Sequence, residues 1–425
     1  MVLVCWAIAG CHRDGKPHDQ TAPPPLTASP ATSDAPPSAP AVEWYRAVVG
    51  TDLEAVPFFV SMPAPGIPGS CSILNGEEHI AVDCHWQDAS TVELEFPVFA
   101  TSIHATRQAD GSLLGAWHPS RLVPGTRAPT FVAARIPSPD PALRFPALAR
   151  TTPPVATADF AGTWRFQFAE LAAGKGTFHQ TSDGIVTGTI IPEQIGDFRY
   201  LAGNARGPQL LLSTFDGQHA YVVRAALGPT QNEIRGTWTF AGINSDGFTA
   251  IRVPSLDIAL VEKLRLKHGA KRVTIPQLED PRYLGKPVIV DYFGTWCPAC
   301  MDETPFLLEL YRRHHAEGLE IVSIALEGTT DDAYNQRQVD YFRKRYAIPW
   351  QIIIVPGDYD ESLKLLPPEL DGTGGYPVTL FLEANRTVHA LHSGFFGPAA
   401  GDDYTQLTTT FERYVNEMLA TGPPR

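Results

Sequence analysis

Two cysteines three positions apart carry the chemistry this sequence offers. Cys297 and Cys300, in Trp296-Cys297-Pro298-Ala299-Cys300, can close a small disulfide with little backbone movement. The pair follows an apolar run, Val288-Ile289-Val290-Asp291-Tyr292-Phe293, that reads as a buried strand. A helical pattern over 306–311 follows. Strand, cysteine pair, helix places Cys297 at a helix N-terminus, where unpaired N–H groups and the helix dipole favour an anion. A thiolate is that anion, so Cys297 is expected to have a depressed pKa and to attack disulfides. Cys300, one turn on, then attacks Cys297 and resolves the mixed disulfide. Asp291 and Glu303 are the acid–base candidates. At an inward strand position Asp291 is desolvated, which raises a carboxyl pKa, and it could take the proton from Cys300. Glu303 falls near the first turn of the helix, where the dipole already favours a carboxylate.

The elements that must position these groups alternate from about residue 274. Strands are expected over 287–293, 319–326, 351–355, 378–383 and 387–394. Helices are expected from the cysteine pair to about 315, over 331–346 and over 404–419. This pattern predicts a mixed sheet covered on both faces. Residues 43–256 read instead as β structure. From 160 onward eight short strands are expected, over 162–168, 174–180, 185–191, 198–204, 209–214, 219–226, 233–240 and 248–253. Pairs such as Asp183-Gly184 and Asp216-Gly217 punctuate them. Trp164, Phe166 and Phe168 alternate as one face of a half-buried strand should. The fold class expected is multidomain: an N-terminal all-β barrel or sandwich region, then a C-terminal α/β domain. Its parts are a β domain or half over 43–137, a Pro-rich linker over 138–158, a barrel or sandwich over 159–256, a connecting helix over 257–273 and the α/β part over 274–425. Leu114-Gly115-Ala116-Trp117 then Phe131-Val132-Ala133-Ala134-Arg135 echoes Arg235-Gly236-Thr237-Trp238 then Phe248-Thr249-Ala250-Ile251-Arg252, a hint of a duplicated β unit or of two parts of one larger sheet.

The chain has 425 residues, 44% of them apolar, and a formal charge of −13. That charge, with no basic run, argues against a nucleic-acid surface. No apolar stretch approaches the ~20 residues that span a bilayer. Residues 1–10 read as the apolar core of a signal peptide. Ile8-Ala9-Gly10-Cys11 resembles the bacterial lipobox, so Cys11 is the expected lipidation site, with residues 11–42 a Pro-rich tether. The expected location is the periplasmic side of a bacterial membrane, inner or outer, with the protein exported and lipid-anchored. Of the six cysteines, Cys71, Cys84, Cys297 and Cys300 then remain. Cys71 and Cys84 are either a structural bridge or two unrelated buried thiols. No second cysteine pair or suitably spaced His pair completes a zinc site, so no metal and no cofactor is expected.

Further residues carry a family resemblance. They are Leu284-Gly285-Lys286-Pro287, Phe293-Gly294-Thr295-Trp296-Cys297-Pro298-Ala299-Cys300, Met301-Asp302-Glu303-Thr304-Pro305, Gly375-Tyr376-Pro377-Val378-Thr379 and Gly394-Phe395-Phe396-Gly397-Pro398. With these, residues 274–420 resemble the TlpA/ResA-like branch of the thioredoxin fold, the redoxins. The resemblance implies a membrane-tethered thiol–disulfide oxidoreductase that reduces disulfides of exported proteins, with Cys297–Cys300 as its redox disulfide. It implies Glu303 as the branch's acid, and a cis bond before Pro377 that lets the backbone of Tyr376 pair with an extended substrate. Trp296 would shield the pair or simply pack. The partners implied are protein disulfides, a transmembrane thiol electron donor and the membrane itself. One alternative is a thiol peroxidase. Where such enzymes need Pro and Thr before the peroxidatic cysteine, this chain has Val290 and Gly294. Another is a binding lipoprotein whose β region recruits a partner.

Overall fold

A computed structural model describes residues 42–50, 55–119, 127–149, 158–170, 173–192, 197–240, 244–256, 264–357, 365–372 and 375–421. Cys11, the expected signal peptide and all but the last residue of the expected tether lie outside the described residues.

Alternation of inward apolar and outward polar residues closes two antiparallel barrels of eight strands each. The first comprises β1 (Val42–Val49), β2 (Val56–Pro63), β3 (Cys71–Asn75), β4 (Glu78–Trp86), β5 (Thr91–Phe96), β6 (Thr101–Arg107), β7 (Leu113–His118) and β8 (Thr130–Ile136). It closes where β8 pairs with β1, Trp44 opposite Ile136. A short helix, α1 (Pro146–Ala149), precedes the second barrel. That barrel comprises β9 (Gly162–Phe168), β10 (Ala173–Gln180), β11 (Ile185–Pro192), β12 (Leu201–Arg206), β13 (Gln209–Phe215), β14 (Ala220–Leu227), β15 (Glu233–Phe240) and β16 (Asn244–Val253). Both interiors are filled by side chains, Tyr45, Phe58 and Leu94 in the first and Trp164, Phe166 and Phe178 in the second.

The sequence echo has a structural counterpart. Gly115 on the seventh strand of one barrel lies opposite Phe131, and Gly236 on the seventh strand of the other lies opposite Phe248. A Cβ at Gly115 would sit 1.9 Å from the His104 carbonyl oxygen, and one at Gly236 2.2 Å from that of Arg224. The two glycines share strand rank, register partner and crowding.

The described part of the expected linker, 138–149, is packed rather than spacing. Arg144 is buried, and its guanidinium donates to the Ser213 hydroxyl, the Leu74 carbonyl and Asn75. The turn after β13 joins the barrels from the other side. Phe215 stacks on Phe58 at 4.4 Å and meets Phe96 and Trp117 edge-on. The Thr101 hydroxyl and the Trp117 indole both donate to the Gly217 carbonyl.

After the barrels, β17 (Arg265–Leu266) leads to β18 (Val288–Phe293), α2 (Pro298–His314), β19 (Glu320–Leu326), α3 (Asp332–Tyr346) and β20 (Gln351–Val355). Then come β21 (Leu370–Asp371), β22 (Val378–Leu382), β23 (Val388–Ser393) and α4 (Asp402–Ala420). Five of these strands form one mixed sheet in the order β20-β19-β18-β22-β23. Strands β18, β19 and β20 run parallel, while β22 is antiparallel to both β18 and β23. Every residue of central β18 is buried. Apolar residues of α2, α3 and α4 share a cluster with Ile289, Phe293 and Ile321. The opposite face, Val288, Val290 and Tyr292, is covered by Val273, Ile275, Leu278 and Tyr283. The helix expected over 257–273 needs correction: residues 257–263 lie outside the described residues, and 264–273 are not helical. There Arg265 and Leu266 pair with β21, and Gly269, at φ 82°, turns the chain. Long-range strand pairing overrides the local helical pattern.

Candidate functional site

The cysteine pair sits where β18 ends and α2 begins. A Cβ at Gly294 would lie 2.3 Å from the Trp296 indole nitrogen, so only glycine lets the loop fold this tightly. The loop is pinned to the end of β19. The Trp296 indole donates to the Leu326 carbonyl at 2.9 Å, and the Thr295 amide and hydroxyl donate to the carboxylate of Glu327. Burial pushes that carboxyl above its usual range. Cys297 is the N-cap of α2, and its Sγ accepts from the Cys300 amide at 3.2 Å. Pro298 follows at the first helical position, where its missing N–H costs nothing. Cys297 and Cys300 are disulfide-bonded and only 3% and 1% exposed.

Beneath the helix start lie the two carboxyl groups. Asp291 points inward from the middle of β18 and accepts from the Ser323 hydroxyl at 2.9 Å, which itself accepts from the Trp350 indole. Glu303, on α2, accepts from the Thr379 hydroxyl at 2.6 Å. Thr379 is the register partner of Asp291 on β22, so sheet pairing brings helix and strand acids together. Both are almost fully buried. Burial pushes Asp291 up to about 7. Burial first, and the charge of Asp291 second, hold Glu303 well above the usual carboxyl range. The two buried acids influence each other's ionisation, so they act as one proton-holding unit.

Tyr376–Pro377 is a cis peptide bond. The Tyr376 ring meets Trp296 edge-on, with centroids 5.5 Å apart, which sets the cis-proline loop beside the redox loop. The Pro377 carbonyl accepts from the Gly394 amide at 2.7 Å, tying this loop to the end of β23. Cys71 and Cys84 are bonded across β3 and β4, with Cα atoms 5.9 Å apart.

A second set of groups around the pair escapes sequence reasoning. Arg199, buried at φ 59°, donates to the Pro298 carbonyl at 3.2 Å and ion-pairs with Asp302 at 2.6 Å, Glu78 at 3.0 Å and Asp216 at 3.6 Å. Gln218 donates to the Trp296 carbonyl at 3.4 Å. Asp302 is pushed up to about 6 by burial, and nearby Asp197 to about 7 by burial and then by Asp302. Burial also penalises the Asp216 carboxylate, but His219 and Arg199 more than offset it and bring its pKa to about 2. The second barrel thus reaches the start of α2 directly, and the first barrel is tied to it through the ion pair of Glu78 with Arg199. Glu78 and Asp302 are more than two hundred positions apart, and no spacing rule connects them.

No family model matches the chain. The thiol-disulfide oxidoreductase ResA of Oceanobacillus iheyensis is 30% identical over 110 residues, 26% of this chain and 50% of that protein. The thiol:disulfide interchange protein DsbE of Escherichia coli K12 is 26% identical over 133 residues, 31% of this chain and 62% of that protein. The chain therefore spans about half to three fifths of the length of these curated relatives. A solved thiol:disulfide interchange protein of the thioredoxin family from Chlorobium tepidum is 23% identical, covering 32% of this chain and 82% of that one at a TM-score of 0.25. The curated relatives mark a TlpA/ResA-like redoxin segment within this chain, and the class of enzyme they are named for is disulfide oxidoreductase.

Proposed function

We propose that residues 274–421 form a thioredoxin-type α/β domain and that the protein is a thiol–disulfide oxidoreductase reducing disulfides of exported proteins. The observation that carries this reading is the Cys297–Cys300 disulfide at the N-cap of α2, beside the buried Asp291–Glu303 unit. In the reduced enzyme the Cys297 thiolate attacks a substrate disulfide. One substrate sulfur leaves as thiolate and the other joins Cys297. Cys300 gives its proton to the Asp291–Glu303 unit and attacks Cys297 Sγ, so the Cys297–Cys300 bond forms and the second substrate sulfur leaves. Two electrons pass to the substrate, and a membrane-embedded dithiol carrier restores them. The cis-proline loop beside Trp296 offers backbone for an extended substrate segment. A lipid on Cys11 and a tether to residue 42 hold the enzyme at its membrane.

Reduction of insulin disulfides with a dithiol reductant tests this. Cys297→Ser should abolish turnover, and Cys300→Ser should accumulate a mixed disulfide at Cys297, visible by mass spectrometry. Turnover unchanged in Cys297→Ser would overturn the proposal.

A further inference from the structure

The outer wall of the first barrel gathers histidines and carboxylates that the redox chemistry does not use. Strand pairing sets His85 beside Glu93 and Glu93 beside His104 across β4, β5 and β6. One pair of residues along, Asp83 lies beside Glu95, Glu95 beside Ser102, and Ser102 beside His118. Side chains alternate along a strand, so Glu93 and Glu95 face outward while Val92, Leu94 and Phe96 fill the interior. The ligand atoms of His85, Glu93 and Glu95 all lie within 4.8 Å of one another. His104 Nε2 stands 2.7 Å from a Glu93 oxygen, and the His104 and His118 rings are 4.8 Å apart. The other Glu93 oxygen accepts from the Gln87 amide at 3.2 Å. Among the described residues, the partners of these two carboxylates are imidazoles and an amide rather than Lys or Arg.

We propose that this face binds a divalent first-row transition-metal ion of the zinc or copper class through His85, Glu93 and Glu95, with His104 orienting Glu93. Mixed imidazole and carboxylate ligands suit these ions, whereas calcium and magnesium take oxygen ligands alone. Such ions bind nitrogen and oxygen at about 2.0–2.2 Å. The three ligand atoms must therefore draw together by roughly an ångström or more, which half-exposed side chains on a rigid barrel wall can do by rotation. An imidazole held against a ligating carboxylate fixes that ligand's direction, the part given to His104. Water completes the coordination.

The test uses untagged full-length protein in the oxidised state, so that Cys297 and Cys300 offer no thiolates. Zn2+ and Cu2+ are titrated separately against a chromophoric chelator. One equivalent should bind at micromolar metal, and His85→Ala and Glu93→Gln should each weaken binding at least tenfold. His104→Ala should weaken it less. Insulin reduction and far-UV circular dichroism should be the same in all variants. Absence of binding at micromolar metal, or equal binding by the His85→Ala/Glu93→Gln double variant, overturns the proposal.

Discussion

At the residue scale the proposed chemistry turns on the buried carboxyls of Asp291 and Glu303. Unfolded, these carboxyls release their protons near pH 4; folded, Asp291 holds its proton up to about 7 and Glu303 is held well above its usual range. Between those limits the unfolded chain binds fewer protons than the folded one, so stability falls as pH rises from about 4 to about 7. Asp197 and Asp302, also raised, push in the same direction. Asp291→Asn should therefore flatten part of this decline, measured as the difference between wild-type and variant urea midpoints at pH 4.5 and pH 7.5. Equal slopes would remove Asp291 as a source. On the proposed mechanism the same unit accepts the Cys300 proton. Release of substrate from the mixed disulfide should quicken with pH through about 7, and Asp291→Asn should lose that inflection and slow the step on the order of 100-fold. A stopped-flow profile that keeps its inflection in the variant would take the proton-accepting role away from Asp291. Asp291 was legible as an inward strand acid, but its pairing with Glu303 was not, because Thr379 and β22 complete the arrangement from eighty residues away.

At the scale of elements, the turn between β13 and β14 does more than reverse the chain. Phe215 packs among first-barrel aromatics, Asp216 holds Arg199 and His219, and Gln218 reaches the Trp296 carbonyl. Gly217 has φ 102°, and a Cβ there would stand 2.0 Å from the Phe96 ring. Gly217→Ala should cost about 1–3 kcal/mol by overpacking alone, read from urea unfolding. Wild-type stability in that variant would show the joint to be loose. Phe215→Ala should cost more, about 3–5 kcal/mol, because it empties an aromatic cluster. These strands were legible from their alternation, and most observed bounds lie within a residue or two of those expected. β12 is the instructive difference: it starts at Leu201 rather than 198. Phe198 is apolar for another reason, since its ring stacks on Tyr221 and packs on Trp238 from a loop.

Over the whole molecule, the two barrels lie against the redox face. Besides Arg199 and Gln218, Lys175 on β10 pairs with Asp403 on α4, and Gln338 on α3 donates to the Pro97 and Val98 carbonyls. Cys297 is only 3% exposed, and Arg199 and Gln218 bond the carbonyls of its neighbours Pro298 and Trp296, so on the proposed function substrate access to Sγ requires movement beside it. Arg199→Met leaves Glu78, Asp216 and Asp302 without their shared cation, a loss on the order of 3–5 kcal/mol for a broken buried pair. Alkylation of reduced Cys297 by iodoacetamide should then accelerate without denaturant. A rate equal to wild type would mean that the Arg199 clamp does not control access.

Taken alone, the sequence determined the reacting pair, its place between a buried strand and a helix, and the β character of the first half. These are local properties, written in the spacing of cysteines and in hydrophobic period. The tertiary structure decided that the β region is two filled barrels, that Glu303 meets Asp291, and that Arg199 and Gln218 bond the carbonyls on either side of Cys297. It also decided which outward side chains of β4, β5 and β6 come together. Each of these depends on strand register and on contacts between residues far apart in the chain, which no local pattern encodes.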